Sequence, residues 1–297
     1  MHLSIVIATH NRAESLNRLL ASLVAQLRRG PHEVFIADNG TSEPARIAFV
    51  DFPLMHLHDP RPGKCRVQNR AIAAAGGSII ACLDDDLTVA PDYVAQTIAF
   101  FDQHPEFAAM RGRIRAASDP LLAAGEKAPY LDLPIADDGS EVIEVHGVIG
   151  ANMAFRAEAL RRVGPFDERL GPGAAGHEEE TEISQRLRRA GYRIGYAPGA
   201  LVYHEVDAAR ADRIRFIRIA RERGWCRMLH ERHSWFEVIT KVGIASVRLG
   251  IARTFKAPIL RVAREERRMA IALGMYDGLR RARNDGDAIA IIEAEHP

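Results

Sequence analysis

Three aspartates in a row, Asp84-Asp85-Asp86, follow the apolar run 78–83. Carboxylates so placed repel one another, and a divalent cation resolves the repulsion. Oxygen ligands favour magnesium or manganese over zinc. Magnesium held by one or two carboxylates completes its shell with phosphate oxygens and water, so the cluster anticipates a phosphorylated ligand. An exposed acidic turn is the alternative reading of the same three residues. A second acidic run, Glu178-Glu179-Glu180, opens a helix behind the glycine-rich loop 171–176. The helix dipole favours acidic groups there. A carboxylate held beside a metal site can also take a proton from an attacking hydroxyl. His204 closes the run Leu201-Val202-Tyr203. A neutral imidazole at that position suits a metal ligand, a phosphate contact or a structural hydrogen bond.

The elements that must position these groups follow from periodicity. Residues 3–8 are apolar and β-branched, as a buried parallel strand requires. Thr9-His10-Asn11-Arg12 then forms a polar loop, and Leu16, Leu19, Leu20, Leu23 and Leu27 fall on one helical face. Strands are expected at 33–37, 54–57 and 78–83, with helices at 67–75 and after Pro91. Residues 111–146 read as irregular and charged, forming strands and a loop that shape an acceptor cleft. A helix is expected over 181–190, and strands over 192–196 and 201–203 around Pro198-Gly199. Alternating strands and helices imply parallel strands with right-handed crossovers. Ligands of such sheets bind beyond the carboxyl ends of the strands, where Thr9–Arg12, Asp38-Asn39 and Asp84–Asp86 all fall. The fold class is therefore an open, mostly parallel α/β sheet with flanking helices, followed by a helical C-terminal extension. The boundary is placed between 1–206 and 207–297.

The whole chain carries a formal charge of +1, but residues 205–297 hold 19 Lys/Arg against 13 Asp/Glu, and residues 1–204 hold 21 against 26. An acidic body with a basic tail suggests two parts with different partners. Lys241, Arg248, Arg253 and Lys256 punctuate an apolar stretch, 236–260. Such a stripe packs on the first domain or on a second subunit, or lies on an anionic membrane surface, in which case the acceptor is lipid-linked. Nucleic acid is not an expected partner, because the basic residues sit in the tail without a recognised motif or stacking aromatics. Three scattered cysteines exclude a disulfide framework. The start lacks a basic leader and a cleavage site, and no run of about 18 apolar residues exists. The expected compartment is the cytoplasm or the inner face of its membrane.

Taken in order, these stretches resemble the family-two glycosyltransferases, which have the GT-A fold, over residues 2–205. The resemblance rests on Val6-Ile7-Ala8-Thr9-His10-Asn11-Arg12, Asp38-Asn39-Gly40-Thr41 and Leu83-Asp84-Asp85-Asp86. It continues through Gly150–Arg156 with Gly164–Glu168, then Glu179-Glu180-Thr181-Glu182 with Arg186-Leu187 and Ala190-Gly191-Tyr192, and finally Val202-Tyr203-His204. The resemblance implies an inverting, metal-dependent transfer of a sugar from a nucleotide-diphosphate donor, UDP by default, to a hydroxyl acceptor. It implies that Ala8, Thr9, Asn11 and Arg12 line the nucleotide site and that Asp38 faces the base. Asp84, with Asp85 beside it, would lie near the ribose. Asp86 would bind the metal that bridges the diphosphate, with His204 as a further ligand. Glu180 takes the position of the catalytic base, with Glu179 as its close competitor because the acidic run is one residue longer than usual. Gly63 and Asn69 match the loop and helix that flank the diphosphate. The chain departs from the family there: Val67-Gln68-Asn69 stands where many relatives read Ala-Arg-Asn. Lys64, Arg66 and Arg70 are the candidates to replace that arginine. Two rivals are a non-catalytic nucleotide-sugar-binding protein, which needs no base beside the metal, and a sugar-phosphate nucleotidyltransferase. The latter should show a glycine-rich loop with Arg and Lys after its first strand, and Thr9–Arg12 is not one.

Overall fold

The computed structural model describes residues 2–28, 30, 32–41, 43–48 and 51–284. The end of the expected extension, 285–297, lies outside the described residues. In chain order the elements begin with β1 (Leu3–Thr9), α1 (Ala13–Leu27), β2 (Glu33–Asp38), β3 (Leu54–His58), α2 (Lys64–Ala74) and β4 (Ile79–Asp84). Next come β5 (Leu87–Val89), α3 (Tyr93–Gln103), β6 (Phe107–Ala116), α4 (Pro120–Ala124), β7 (Ile143–Val145) and β8 (Asn152–Arg156). The last are α5 (Ala157–Val163), α6 (Glu179–Arg189), β9 (Arg193–His204), α7 (Arg213–Arg227), α8 (Trp235–Thr254) and α9 (Ile259–Asn284). They fall into two compact units. One comprises Met1–Ala117, Leu133–Ala174 and Glu179–Val206; the other comprises Ser118–Asp132, Ala175–Glu178 and Asp207–Pro297.

The first unit is an open α/β sheet ordered β3-β2-β1-β4-β8-β6-β9-β5, with β7 pairing β9. Strands β3, β2, β1 and β4 run parallel, and all seven residues of β1 are buried, as a strand covered on both faces must be. Beyond β4 the sheet is mixed. β8 is antiparallel to both β4 and β6, β6 is parallel to β9, and β5 and β7 are antiparallel to β9. Leu16, Leu19, Leu20, Leu23 and Leu27 of α1 are all buried at the expected spacing. The stretch 111–146 holds the second half of β6 and all of β7, and the two short strands expected around Pro198-Gly199 are one strand, β9. The register of β6 against β9 shifts between Gly112 and Arg113, so the turn residues are absorbed as an irregularity within a continuous strand.

The second unit is built on α7, α8 and α9. Asp212 and Ser234 cap α7 and α8 by accepting from the backbone N–H of Arg215 and Glu237. α7 and α9 cross at two reciprocal glycines. A Cβ at Gly274 would stand 1.9 Å from the Arg221 carbonyl oxygen, and one at Gly224 would stand 2.0 Å from that of Ile271. Backbone atoms cannot swing aside, so Gly274→Ala is expected to destabilise by roughly 1–3 kcal/mol, the usual cost of overpacking. That outweighs the roughly 1 kcal/mol that alanine gains over glycine in a helix. Gly243→Ala in α8, where a Cβ meets nothing within 4 Å, should have the opposite sign. Urea unfolding of the two variants checks the pair, and two shifts of the same sign would refute the close crossing.

Candidate active site

Strand register gathers the chemistry-bearing residues at one edge of the sheet. In the parallel ladder Thr9 is opposite Asp38 and Ala8 is opposite Asp84, so three strand ends meet at one level. The chain turns after Asp84 and enters β5, where Leu87 pairs with His204 of β9. The Glu205 N–H donates to the Asp86 carbonyl at 3.0 Å. That backbone bond brings the carboxyl end of β9 beside the aspartate run.

Arg12 organises the run. Its Nη1 lies 2.9 Å from Asp85 Oδ1 and 2.9 Å from Asp86 Oδ2. The Thr9 hydroxyl donates to Asp85 Oδ2 at 2.7 Å. Burial pushes the Asp85 carboxyl up, and Asp86 and Asp84 add to the push against the pull of Arg12 and Thr9. Burial also opposes the charge of Arg12, but Asp85 and Asp86 outweigh it and raise its pKa. The loop before α1 is held by Asn11, whose φ of 55° lies in the left-handed region that asparagine tolerates. Its amide exchanges hydrogen bonds with the hydroxyl and backbone N–H of Thr41.

Lys64, the first residue of α2, joins the aspartates to the acidic helix start. Its Nζ is 2.7 Å from Asp84 Oδ1 and 3.6 Å from Glu179 Oε1. Burial works against the lysine charge, yet Asp84 and Glu179 hold its pKa well above the usual value. Burial likewise opposes ionisation of Asp84, and Lys64, His204 and Arg12 together draw its carboxyl below the ordinary range. The α2 start is pinned by the Lys64 N–H donating to the Pro172 carbonyl at 2.8 Å. Gly173 (φ 82°) makes this approach possible, because a Cβ there would stand 2.5 Å from the Gly63 nitrogen. Glu180 follows Glu179 in the first turn of α6 and is half-buried. Burial, and then the charge of Glu179, push its carboxyl well above the ordinary range.

Asp86 and His204 face each other, with Oδ1 and Nε2 3.4 Å apart. His204 Nδ1 lies 2.8 Å from the Glu205 carbonyl oxygen. A carbonyl only accepts, so Nδ1 carries the hydrogen and Nε2 faces the carboxylate. Either a proton or a metal cation can bridge such a pair. Among the described residues, no third His, Cys, Asp or Glu completes a metal-holding group.

Other expected site residues stand apart from this cluster. Asp38 is fully buried. Its oxygens accept from the N–H groups of Gly40 (2.8 Å) and Ala45 (2.7 Å) and lie 2.9 Å from His56 Nε2, so it orders its own loop. Asn69 bonds the Phe166 backbone through both ends of its amide, each at 2.9 Å, and clamps α2 to the segment after α5. Gln68 is buried and lies beside Cys82, so it faces the core. Of the three basic candidates, Arg66 reaches Glu168 at 3.5 Å and Arg70 reaches Asp59 at 3.4 Å, which leaves Lys64 alone on the aspartates. The bridging position of Lys64 between two acidic motifs was not foreseen. The only signal available was a lysine at the start of a small-residue helix.

The family described as "Glycosyl transferase family 2" matches residues 4–164. The glucosyl-dolichyl phosphate glucuronosyltransferase of Haloferax volcanii is 23% identical over 224 residues, covering 71% of this chain and 72% of that one. The succinoglycan biosynthesis protein ExoM of Rhizobium meliloti is 25% identical over 296 residues, covering 94% and 92%. The chain spans between 18% and 42% of the length of several other curated relatives. Among solved structures, the mannosyltransferase PcManGT from Pyrobaculum calidifontis, in complex with GDP-Man and Mn2+, has a TM-score of 0.50 at 16% identity. That match covers 96% of this chain and 76% of that one, and it bears on the fold alone. With the family pattern spanning more than half of its length, and with that pattern's strand ends gathered at one sheet edge, this chain belongs to glycosyl transferase family 2.

Proposed function

We propose that this glycosyltransferase is inverting and metal-dependent, and that it moves a sugar from a nucleotide diphosphate to a hydroxyl acceptor. The observation that carries the reading is the Asp86–His204 pair, which sets a carboxylate oxygen and an imidazole nitrogen 3.4 Å apart beside the aspartate run, where one cation could take both as ligands. Asp86 and His204 would hold the ion, a carboxylate with an imidazole suiting manganese better than the oxygen-seeking magnesium. When bound, such an ion supplies charge compensation to the departing diphosphate. Arg12 holds Asp85 and Asp86 in place, and Lys64 balances Asp84 and Glu179. Glu180, with its raised affinity for protons, takes the proton of the acceptor hydroxyl. The hydroxyl oxygen forms its bond to the anomeric carbon as the bond to the diphosphate oxygen breaks, and one displacement inverts the configuration. The proposed catalytic domain is 1–206, with residues 207–297 as an extension. The Asp38 loop is proposed to bound the nucleobase end of the site, with UDP as the first nucleotide to test. The names of the Haloferax and Rhizobium relatives, a lipid-phosphate sugar transferase and a polysaccharide assembly protein, support a glycan or lipid-linked acceptor.

The test is thermal unfolding with UDP, GDP and dTDP, each with and without Mn2+, alongside slow donor hydrolysis. One nucleotide should stabilise only when metal is present, by about 2.7 kcal/mol at a hundredfold excess over its dissociation constant. Asp86→Ala should remove that stabilisation. Equal stabilisation in chelator would sink the metal reading, and metal-dependent binding without any donor hydrolysis would favour the non-catalytic rival.

A further inference from the structure

The outward side of α8 is apolar. Phe236, Ile239, Ile244, Val247, Ile251 and Phe255 fall on one side at helical spacing and are exposed, Phe236 by 82% and Phe255 by 78%. The opposite side, Val238, Ala245 and Ala252, is buried. The turn into α9 adds exposed Ile259 and Leu260. Isolated exposed apolar residues are ordinary, but a continuous stripe of this length marks an interaction surface.

Charge decides what covers it. Residues 236–264 contain six Lys/Arg and one acidic residue, Glu237. Lys241 pairs with Glu237 and Arg253 with Glu266. Arg248, Lys256, Arg261 and Arg264 are exposed, and no carboxylate partner is found for them among the described residues. A groove of about 260 Å³ between α8 and α9 is lined by the apolar Ile244, Ile271 and Met275 and by the cations Arg227, Lys241, Arg248 and Arg268. Cations and apolar side chains in one groove match a headgroup phosphate attached to an acyl chain.

We propose that α8 and the α8–α9 turn seat this protein on an anionic lipid bilayer, the apolar stripe at the acyl boundary and the cations on lipid phosphates. A second copy of the chain is disfavoured as the occupant, because pairing this face with itself opposes cation to cation, and the one acidic residue in 236–264, Glu237, is already paired with Lys241 and His233. A spanning helix is not required: no described helix is long and apolar enough to cross a membrane. Nucleic acid would satisfy the cations and leave the aliphatic stripe in water. The inference rests on the helical unit alone and is independent of the transfer chemistry.

The test is vesicle flotation of the full chain, with phosphatidylcholine vesicles prepared with and without phosphatidylglycerol. Binding should be stronger on the anionic vesicles by roughly 30-fold or more, and should weaken with salt. Phe236→Ser/Phe255→Ser, at positions too exposed to matter for folding, should lower partitioning at least about tenfold. Arg248→Glu/Lys256→Glu should remove the preference for anionic lipid, and soluble glycerol phosphate should not compete. Circular dichroism verifies that each variant is folded. Equal weak binding to both vesicle types, or unchanged binding by folded variants, would overturn the proposal. So would a dimer that the phenylalanine variants disperse while vesicle binding is absent.

Discussion

Glu180→Gln is expected to lower turnover by about 10²–10⁴-fold, the range for loss of a general base, while donor binding measured by calorimetry stays intact. The amide keeps the size and position of the side chain and removes only the capacity to take a proton. The pH profile separates this role from a structural one. A base must be ionised to act, and burial with the Glu179 charge raises the Glu180 carboxyl well above the ordinary range. Turnover should therefore climb with pH through that raised value, displacing the acidic limb upward from about 4.3, the unperturbed glutamate pKa. Glu179→Gln removes a neighbouring negative charge, so Glu180 should ionise more easily and the limb should move to lower pH with turnover retained. Glu180→Gln should abolish the limb. The reverse pattern would assign the base to Glu179, and near-wild-type turnover in Glu180→Gln would remove Glu180 from the role.

The sequence already showed which strand ends would meet, because that depends on local patterns. Apolar runs such as 3–8 mark buried strands, and the polar residues that stop them lie where α/β sheets bind ligands. The pairing of Asp86 with His204 spans more than a hundred residues, and neither residue reveals the other by spacing. It follows from β5 lying antiparallel to β9, and β5 is three residues long, too short for periodicity to announce. Strand β6 was legible in kind and not in its bounds. Arg111, Arg113 and Arg115 alternate with buried Met110, Gly112 and Ile114, a period of two that continues the wholly buried run 107–110 before it. The arginines pair with Asp137 and Asp138 across the same unit. Gln68 illustrates a limit of family pattern. It stands where many relatives carry an arginine, and its helical phase turns it toward Cys82 and the core.

Lys64→Met should be the most damaging substitution for stability, at about 3–5 kcal/mol near neutral pH, the cost of removing one partner from a buried ion pair. Lys64 is 8% exposed and serves two carboxylates, Asp84 and Glu179. Methionine fills most of the volume, so the loss is chiefly electrostatic. Linkage fixes the pH dependence. The pKa of Lys64 is raised by folding, so its contribution is complete below the unfolded value of about 10.4 and lost as pH rises through the higher folded one. That of Asp84 is lowered, so its contribution is complete above about 3.9 and lost as pH falls through the lower folded value. The pair thus stabilises across the whole neutral range. Without the lysine, Asp84 is left charged and largely desolvated, and protonation relieves it. The deficit of Lys64→Met should therefore shrink as pH falls toward about 5, because the variant's Asp84 pKa moves up. Adding Asp84→Asn should recover part of the loss, giving a coupling of about 0.5–3 kcal/mol in the double-mutant cycle. Urea unfolding at the two pH values measures all three variants. A deficit that is independent of pH, or singles that add without coupling, would show that Lys64 stabilises by packing and not by holding the acidic groups together.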